Sequence, residues 1–87
     1  MNVAQTKQFK QDVKRMRRRG KDLEKIKAVI DLLVAKEPLP PKHRDHKLGR
    51  NWIGHRDCHL EPDWILIYKI SEDVLLLERT GTHSDLF

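Results

Sequence analysis

Apolar residues recur every three or four positions over the first third of the chain and run almost without break near its end. Over residues 7–19, Phe9, Val13 and Met16 fall on one face while Lys7, Lys10, Lys14, Arg17 and Lys21 fall on another. That spacing predicts an amphipathic helix. Gly20 is a natural stop, and Asp22 can cap a second helix over about residues 23–35, with Leu23, Ile26, Ile30 and Leu33 on its buried face and Val29 alongside. Two short helices joined by a tight turn make a helical hairpin. Residues 2–5 precede it as a short first strand.

Pro38-Leu39-Pro40-Pro41 ends helical structure and favours an extended connection. Residues 43–50 form a polar loop with no hydrophobic period, the kind of segment that often carries function. Trp52 is expected to anchor a strand over about residues 52–60 and, with Tyr68, to lie in the core. Pro62-Asp63 marks a turn. The run Trp64-Ile65-Leu66-Ile67-Tyr68-Lys69-Ile70 is rich in β-branched and aromatic residues, and so reads as a strand. Ser71-Glu72-Asp73 turns the chain into a returning strand over residues 74–79. Both runs are apolar at nearly every position, as central strands covered on two faces should be. The expected order is β-α-α-β-β-β, an α+β domain with two helices packed on an antiparallel sheet of about four strands.

Length and composition narrow the class. A chain of 87 residues is expected to form one domain, residues 1–87, burying roughly 60–65% of its surface on folding. A single cysteine, Cys58, permits neither an internal disulfide nor a cysteine-rich zinc site. No apolar run approaches the roughly 18 residues that span a bilayer, and the N-terminus lacks the apolar core of a signal peptide. A cytoplasmic protein without a membrane partner is the expectation. Charge is more telling. Residues 1–50 hold 15 basic and 6 acidic side chains, a net of +9, whereas residues 51–87 hold 3 and 7, a net of −4. A basic half joined to an acidic, histidine-bearing half suggests gripping a polyanion with one part and acting on it with the other.

The chemistry gathers between His59 and Phe87. Alternation along a strand puts His55, Asp57 and His59 on one face, and Arg79, Gly81 and His83 on one face if the chain stays extended. Neighbouring strands then offer His59, Arg79 and His83 to one cleft, with Asp63 and Trp64 at its rim and His46 reaching in from the loop. Cleavage of RNA without a metal needs a base for the ribose 2′-OH, an acid for the departing 5′-oxygen, and a cation for the charged phosphorane. Histidine serves as acid or base, arginine clamps phosphate, and Trp64 and Phe87 offer faces for a splayed base. No cofactor is required. A second reading is a metal site, because His55-x-Asp57-x-His59 can supply ligands from one strand face.

Three segments together resemble the YafQ-type toxins of the RelE superfamily: Asp45-His46-x-Leu48; Trp52-x-Gly54-x-Arg56-Asp57-x-His59-x-Glu61-Pro62-Asp63-Trp64-Ile65-Leu66-Ile67-Tyr68-Lys69; and Glu78-Arg79-Thr80-Gly81-Thr82-His83. The resemblance implies a RelE-like fold and a ribosome-dependent endoribonuclease that cuts mRNA in the ribosomal A site. It also implies neutralisation by a cognate antitoxin protein. It places the active site at His46, His59, Asp63, Trp64, His83 and Phe87, with His83 as general acid and His59 or Asp63 as base. Arg79 lies where a phosphate-binding arginine is useful. His55 stands where members of the family often carry an aromatic residue. The basic helices are expected to contact ribosomal RNA. The alternative is a module that binds RNA or the ribosome and arrests translation without cutting.

Overall fold

The computed structural model describes residues 1–87 and has the expected α+β order, with one strand and one helix more than the apolar pattern predicts. Strand β1 (Asn2–Gln5) leads into helix α1 (Lys7–Arg18), and Gly20, at φ +83°, turns the chain toward helix α2 (Leu23–Val34). Both helices start where a side chain satisfies a free backbone donor. The Thr6 hydroxyl accepts from Phe9 N at 2.9 Å, and the Asp22 carboxylate accepts from Glu24 N at 3.0 Å. The segment expected to be a plain polar loop contains a 3₁₀ turn (Pro41–His43), the short strand β2 (His46–Lys47) and a second turn (Arg50–Trp52). Trp52 therefore lies in that turn, half-buried, and strand β3 (Arg56–Glu61) begins later than expected. Strands β4 (Trp64–Ser71) and β5 (Val74–Gly81) follow, and the chain closes with helix α3 (His83–Leu86).

The sheet order is β1-β5-β4-β3-β2. All pairs are antiparallel except β1 with β5, which is parallel. That exception corrects the antiparallel expectation, and the helical hairpin is part of the long crossover that a parallel pair requires. One face of the sheet packs Cys58, Leu60, Trp64, Leu66, Tyr68, Leu75 and Leu77 against Phe9, Met16, Ile26, Val29 and Leu33 of the helices. On the other face Ile65 and Ile67 lie beneath Leu86, with Leu48 and Trp52 beside them. So β4 is covered on both faces, as its unbroken apolar run requires.

Two irregularities set which side chains share a face. In β3–β4 the register shifts between His59 and Glu61. In β4–β5, Tyr68 faces Leu77 but Ile67 faces Arg79, which leaves Glu78 as an extra residue. A bulge of this kind re-aims the strand beyond it. As a result Asp57, His59, Ile65, Ile67, Arg79 and Gly81 all belong to the face away from α1 and α2.

Asp12 is the one fully buried carboxylate of α1, lying between Phe9 and Met16 on its apolar face. Beyond the end of β1, its Oδ2 accepts from Thr80 N at 3.1 Å, taking a backbone donor on the uncovered edge of β5. The same carboxylate receives Arg79 Nε at 2.7 Å and Arg15 Nη2 at 3.0 Å. Removing one partner of a buried ion pair strands the others. Asp12→Ala is expected to destabilise the protein by about 3 kcal/mol, the lower end for a buried pair because both arginines still reach water. A urea titration measures this, and an unshifted midpoint would show that water replaces the carboxylate at no cost.

Candidate active site

The register brings His46 opposite Asp57, and His59 opposite Ile65, on the face that α3 covers. α3 is only one turn long, yet it is held at several points. Thr82 and Asp85 form a capping box, in which the Thr82 hydroxyl accepts from Asp85 N and the Asp85 carboxylate accepts from Thr82 N. Arg19 reaches Asp85 from the end of α1 through two bonds of 2.6 and 3.2 Å, which holds the Asp85 carboxyl far below the usual carboxylate range. Gly81 permits this approach, since a Cβ there would lie 2.9 Å from the Asp85 Cβ. The chain therefore does not stay extended past Gly81. It turns, and Leu86 seals Ile65 and Ile67 while His83 is delivered beside His59.

The result is a row of rings. His46 and His59 have centroids 6.5 Å apart, His59 and His83 are 5.6 Å apart, and His83 and Phe87 are 6.4 Å apart. The two outer imidazoles each face a carboxylate. Asp63 Oδ1 accepts from both the backbone N of His83, at 2.9 Å, and its ring Nδ1, at 2.6 Å. Those bonds hold the Asp63 carboxyl below its ordinary range, the backbone bond contributing most. An ionised Asp63 requires the proton on Nδ1, so His83 presents Nε2 to the cleft.

At the other end His46 is engaged twice. Its Nδ1 lies 2.6 Å from the Arg44 carbonyl, and its Nε2 lies 3.0 Å from Asp57 Oδ1. The second contact is off the line a hydrogen bond needs, so the buried Oδ1 has no aligned donor. Burial raises the Asp57 carboxyl above its ordinary range, against the opposing pull of His46, His59 and His83. His59, in the middle, is the odd one out, because its buried Nδ1 has no partner at all.

His46 is placed from beneath. Asp45 and His46 are consecutive, so they project to opposite sides of the sheet margin. The Asp45 carboxylate accepts from Tyr68 Oη at 2.5 Å and from Arg56 at 3.3 and 3.2 Å. Tyr68 is buried in the core as expected. Burial and the Asp45 bond together raise the Tyr68 hydroxyl above its ordinary range.

Of the residues expected at the site, His46, His59, Asp63, His83 and Phe87 come together, and two do not. Trp64 has no exposure, and its Nε1 donates to Thr80 Oγ1 at 2.9 Å. It points to the helix face, so it is a core residue with no ring face free for a base. Arg79 lies on the expected face, but its guanidinium is bound to Asp12 by two bonds and is turned to that carboxylate. His55 precedes β3 and leaves the Asp57 face, standing edge-on to Trp52 at 5.3 Å with Nε2 3.3 Å from Glu78. It packs as an aromatic residue would, and the His55, Asp57 and His59 set does not converge to a metal-holding group. The sequence offers Asp57 only as a face-mate of His55 and His59, and what signals more is a carboxylate set between two histidines on one strand face.

Residues 1–87 match the family described as bacterial toxin of type II toxin–antitoxin system, YafQ. The mRNA interferase toxin YafQ of Escherichia coli strain B / BL21-DE3 is 51% identical over 81 residues, which cover 92% of this chain and 88% of that one. The crystal structure of YafQ from E. coli strain BL21(DE3) superposes with a TM-score of 0.95 at 46% identity, covering 99% of this chain and 97% of the other. The toxin chain in the crystal structure of the E. coli DinJ–YafQ complex superposes at 0.92, with 47% identity and the same coverage.

Two substitutions probe this geometry. Trp64→Phe loses the Thr80 bond and part of the core packing, and is expected to cost roughly 1–3 kcal/mol of stability while leaving substrate affinity unchanged. A rise in KM without a loss of stability would return Trp64 to the binding surface. A carboxyl whose folded pKa is raised binds its proton more tightly folded than unfolded, so it disfavours folding at neutral pH and ceases to as pH falls through its folded value. Asp57→Asn should therefore raise the thermal midpoint at pH 7, and the gain should shrink by pH 4. A lower midpoint at pH 7 would mean that attraction to the imidazoles outweighs the burial.

Proposed function

Because this chain belongs to the YafQ family of type II toxins, we propose that it is an mRNA interferase that cuts message on the ribosome and is silenced by a cognate antitoxin. The observation that carries this reading is the row of three imidazoles on one sheet face. Its outer members each face a carboxylate, its middle member is free, and an exposed phenyl ring stands at one end. Residues 1–87 act as one toxin domain. The exposed cations of α1, Lys7, Lys10, Lys14, Arg17 and Arg18, meet ribosomal RNA away from the cleft, and those contacts weaken as salt is added.

The hydrogen bonds assign the labour. His59, with no competing partner, takes the proton of the ribose 2′-OH. The 2′-oxygen attacks phosphorus as the bond from phosphorus to the 5′-oxygen breaks, and His83 gives its Nε2 proton to that oxygen. The products are a 2′,3′-cyclic phosphate and a 5′-hydroxyl. Asp63 serves as the orienting partner of His83 rather than as the base, holding the imidazolium that must donate. His46, oriented between the Arg44 carbonyl and Asp57, faces the developing charge on phosphate. It stands at the phosphate, where Arg79, bound to Asp12, does not. Phe87, 62% exposed and beside His83, offers a stacking surface for one base.

Primer extension on mRNA from translating ribosomes tests the reading. The wild-type protein is expected to cut with EDTA-treated enzyme as well as without. His83→Gln and His59→Gln should each lower the rate roughly 10²–10⁴-fold, with the thermal midpoint little changed in the exposed His83 variant. Arrest of translation with intact message would favour a binding module instead, and unchanged cutting by His83→Gln would remove it from the mechanism.

A further inference from the structure

The burial of Trp64 leaves the cleft with a stacking ring at one end only, and the open edge of β3 offers a second. β2 pairs with Arg56 and Asp57 alone, so no strand covers His59 to Glu61. The turn Pro41–His43 lies there instead, with His43 Nδ1 2.7 Å from the His59 carbonyl, which fixes the plane of that imidazole. Between this turn and α2 runs a groove of about 530 Å³. Its apolar lining comes from Ala28, Val29, Leu32 and Pro62, and its basic rim from Lys42 and Arg44.

We propose that this groove receives the base of the mRNA nucleotide next to the scissile phosphate, on the side opposite Phe87, with Lys42 and Arg44 meeting the adjoining phosphates. The proposal rests on the ribonuclease reading above. Three observations carry it. His59 stands at both, its ring in the imidazole row and its carbonyl bound to His43 of the groove, so a strand that rounds the open edge of β3 passes from the row into the groove. Lys42 and Arg44 have no carboxylate partner, whereas Glu61, the one acid on the rim, is taken by Lys21 at 2.7 Å and Lys25 at 2.8 Å. The rim thus has free positive charge for phosphate and none left unmatched of the opposite sign. Finally, an imidazole and a guanidinium above aliphatic side chains suit a splayed base, which stacks on just such planes. With Phe87 holding one base and the groove the next, the phosphate between them is stretched over His59 and His83.

The test compares wild type with Ala28→Met, which fills the groove from an exposed helical position, and Lys42→Gln, on ribosomes programmed with mRNA. In each variant KM for cleavage should rise roughly tenfold, the loss of about one stacked base. kcat should hold within about twofold, as expected when uniform binding is lost. Preference at the nucleotide flanking the cut should relax, and affinity for ribosomes lacking mRNA should not change. Unchanged KM and preference in both variants overturn the proposal. An equal loss of affinity for mRNA-free ribosomes also overturns it, by assigning the groove to ribosomal RNA. Lost antitoxin binding with normal cleavage overturns it in favour of a protein occupant. If the wild-type protein does not cut, the ribonuclease reading falls and the groove is judged separately, by titrating an uncleavable 2′-O-methyl RNA trinucleotide. NMR shifts at His43 and Ala28 then support it, and their absence sinks it.

Discussion

A carboxylate shut away from water, that of Asp12, ties together the parts that have to be in place before this site can exist. A parallel edge strand of four residues leaves the second half of β5 with free backbone donors. α1 runs on from that strand, and Asp12 accepts the Thr80 N–H at the uncovered edge. The charge draws in Arg79 and Arg15, and Arg15 Nη2 stands 3.7 Å from Asp85 on α3. Arg19, one turn further along α1, grips Asp85 directly. A single buried acid thereby sets helix against sheet, and its arginines carry that placement to the terminal helix. α3, a single turn with little intrinsic stability, depends on anchors of this kind to hold His83.

The cleft itself is assembled against its own electrostatics. Asp57 is almost fully buried, and burial opposes its charge. Three imidazoles nearby oppose that cost. The protein thus keeps acid and base groups close together in a half-buried place where neither ordinary solvation nor complete pairing settles their protons. Two polar atoms, Asp57 Oδ1 and His59 Nδ1, are left without partners. Such buried, unpaired atoms are costly to the folded protein. The core shows the contrast. Cys58, buried with the Asp45 and Asp57 carboxylates acting on it, is driven up and out of the range in which a thiol reacts.

Much of this was legible in the order of residues. The helical hairpin, the cap at Asp22, and the two central strands followed from periodicity and turn chemistry, and each lies within a residue or two of its expected place. β2 was hidden because two residues carry no period, and α3 because one turn carries none either. The bulge at Glu78 was equally silent, since its extra residue is an ordinary polar one on the page. Trp64 illustrates a different limit. A tryptophan that opens a strand beside a histidine cleft reads equally well as platform or as core, and only the phase of the strand separates them.

The sequence by itself determined the class of fold and the family, as well as the imidazoles and carboxylates available at the site. Those depend on local spacing and on residue chemistry, which a linear chain displays openly. Tertiary structure alone decided how the groups are shared out: which imidazole has a partner and which has none, which carboxylate meets His83, and why Arg79 is bound to Asp12. The reason is physical. Protonation and availability depend on what stands within a few ångströms, and here the partners come from α1, from the turn before β2 and from a bulged strand up to 68 residues away.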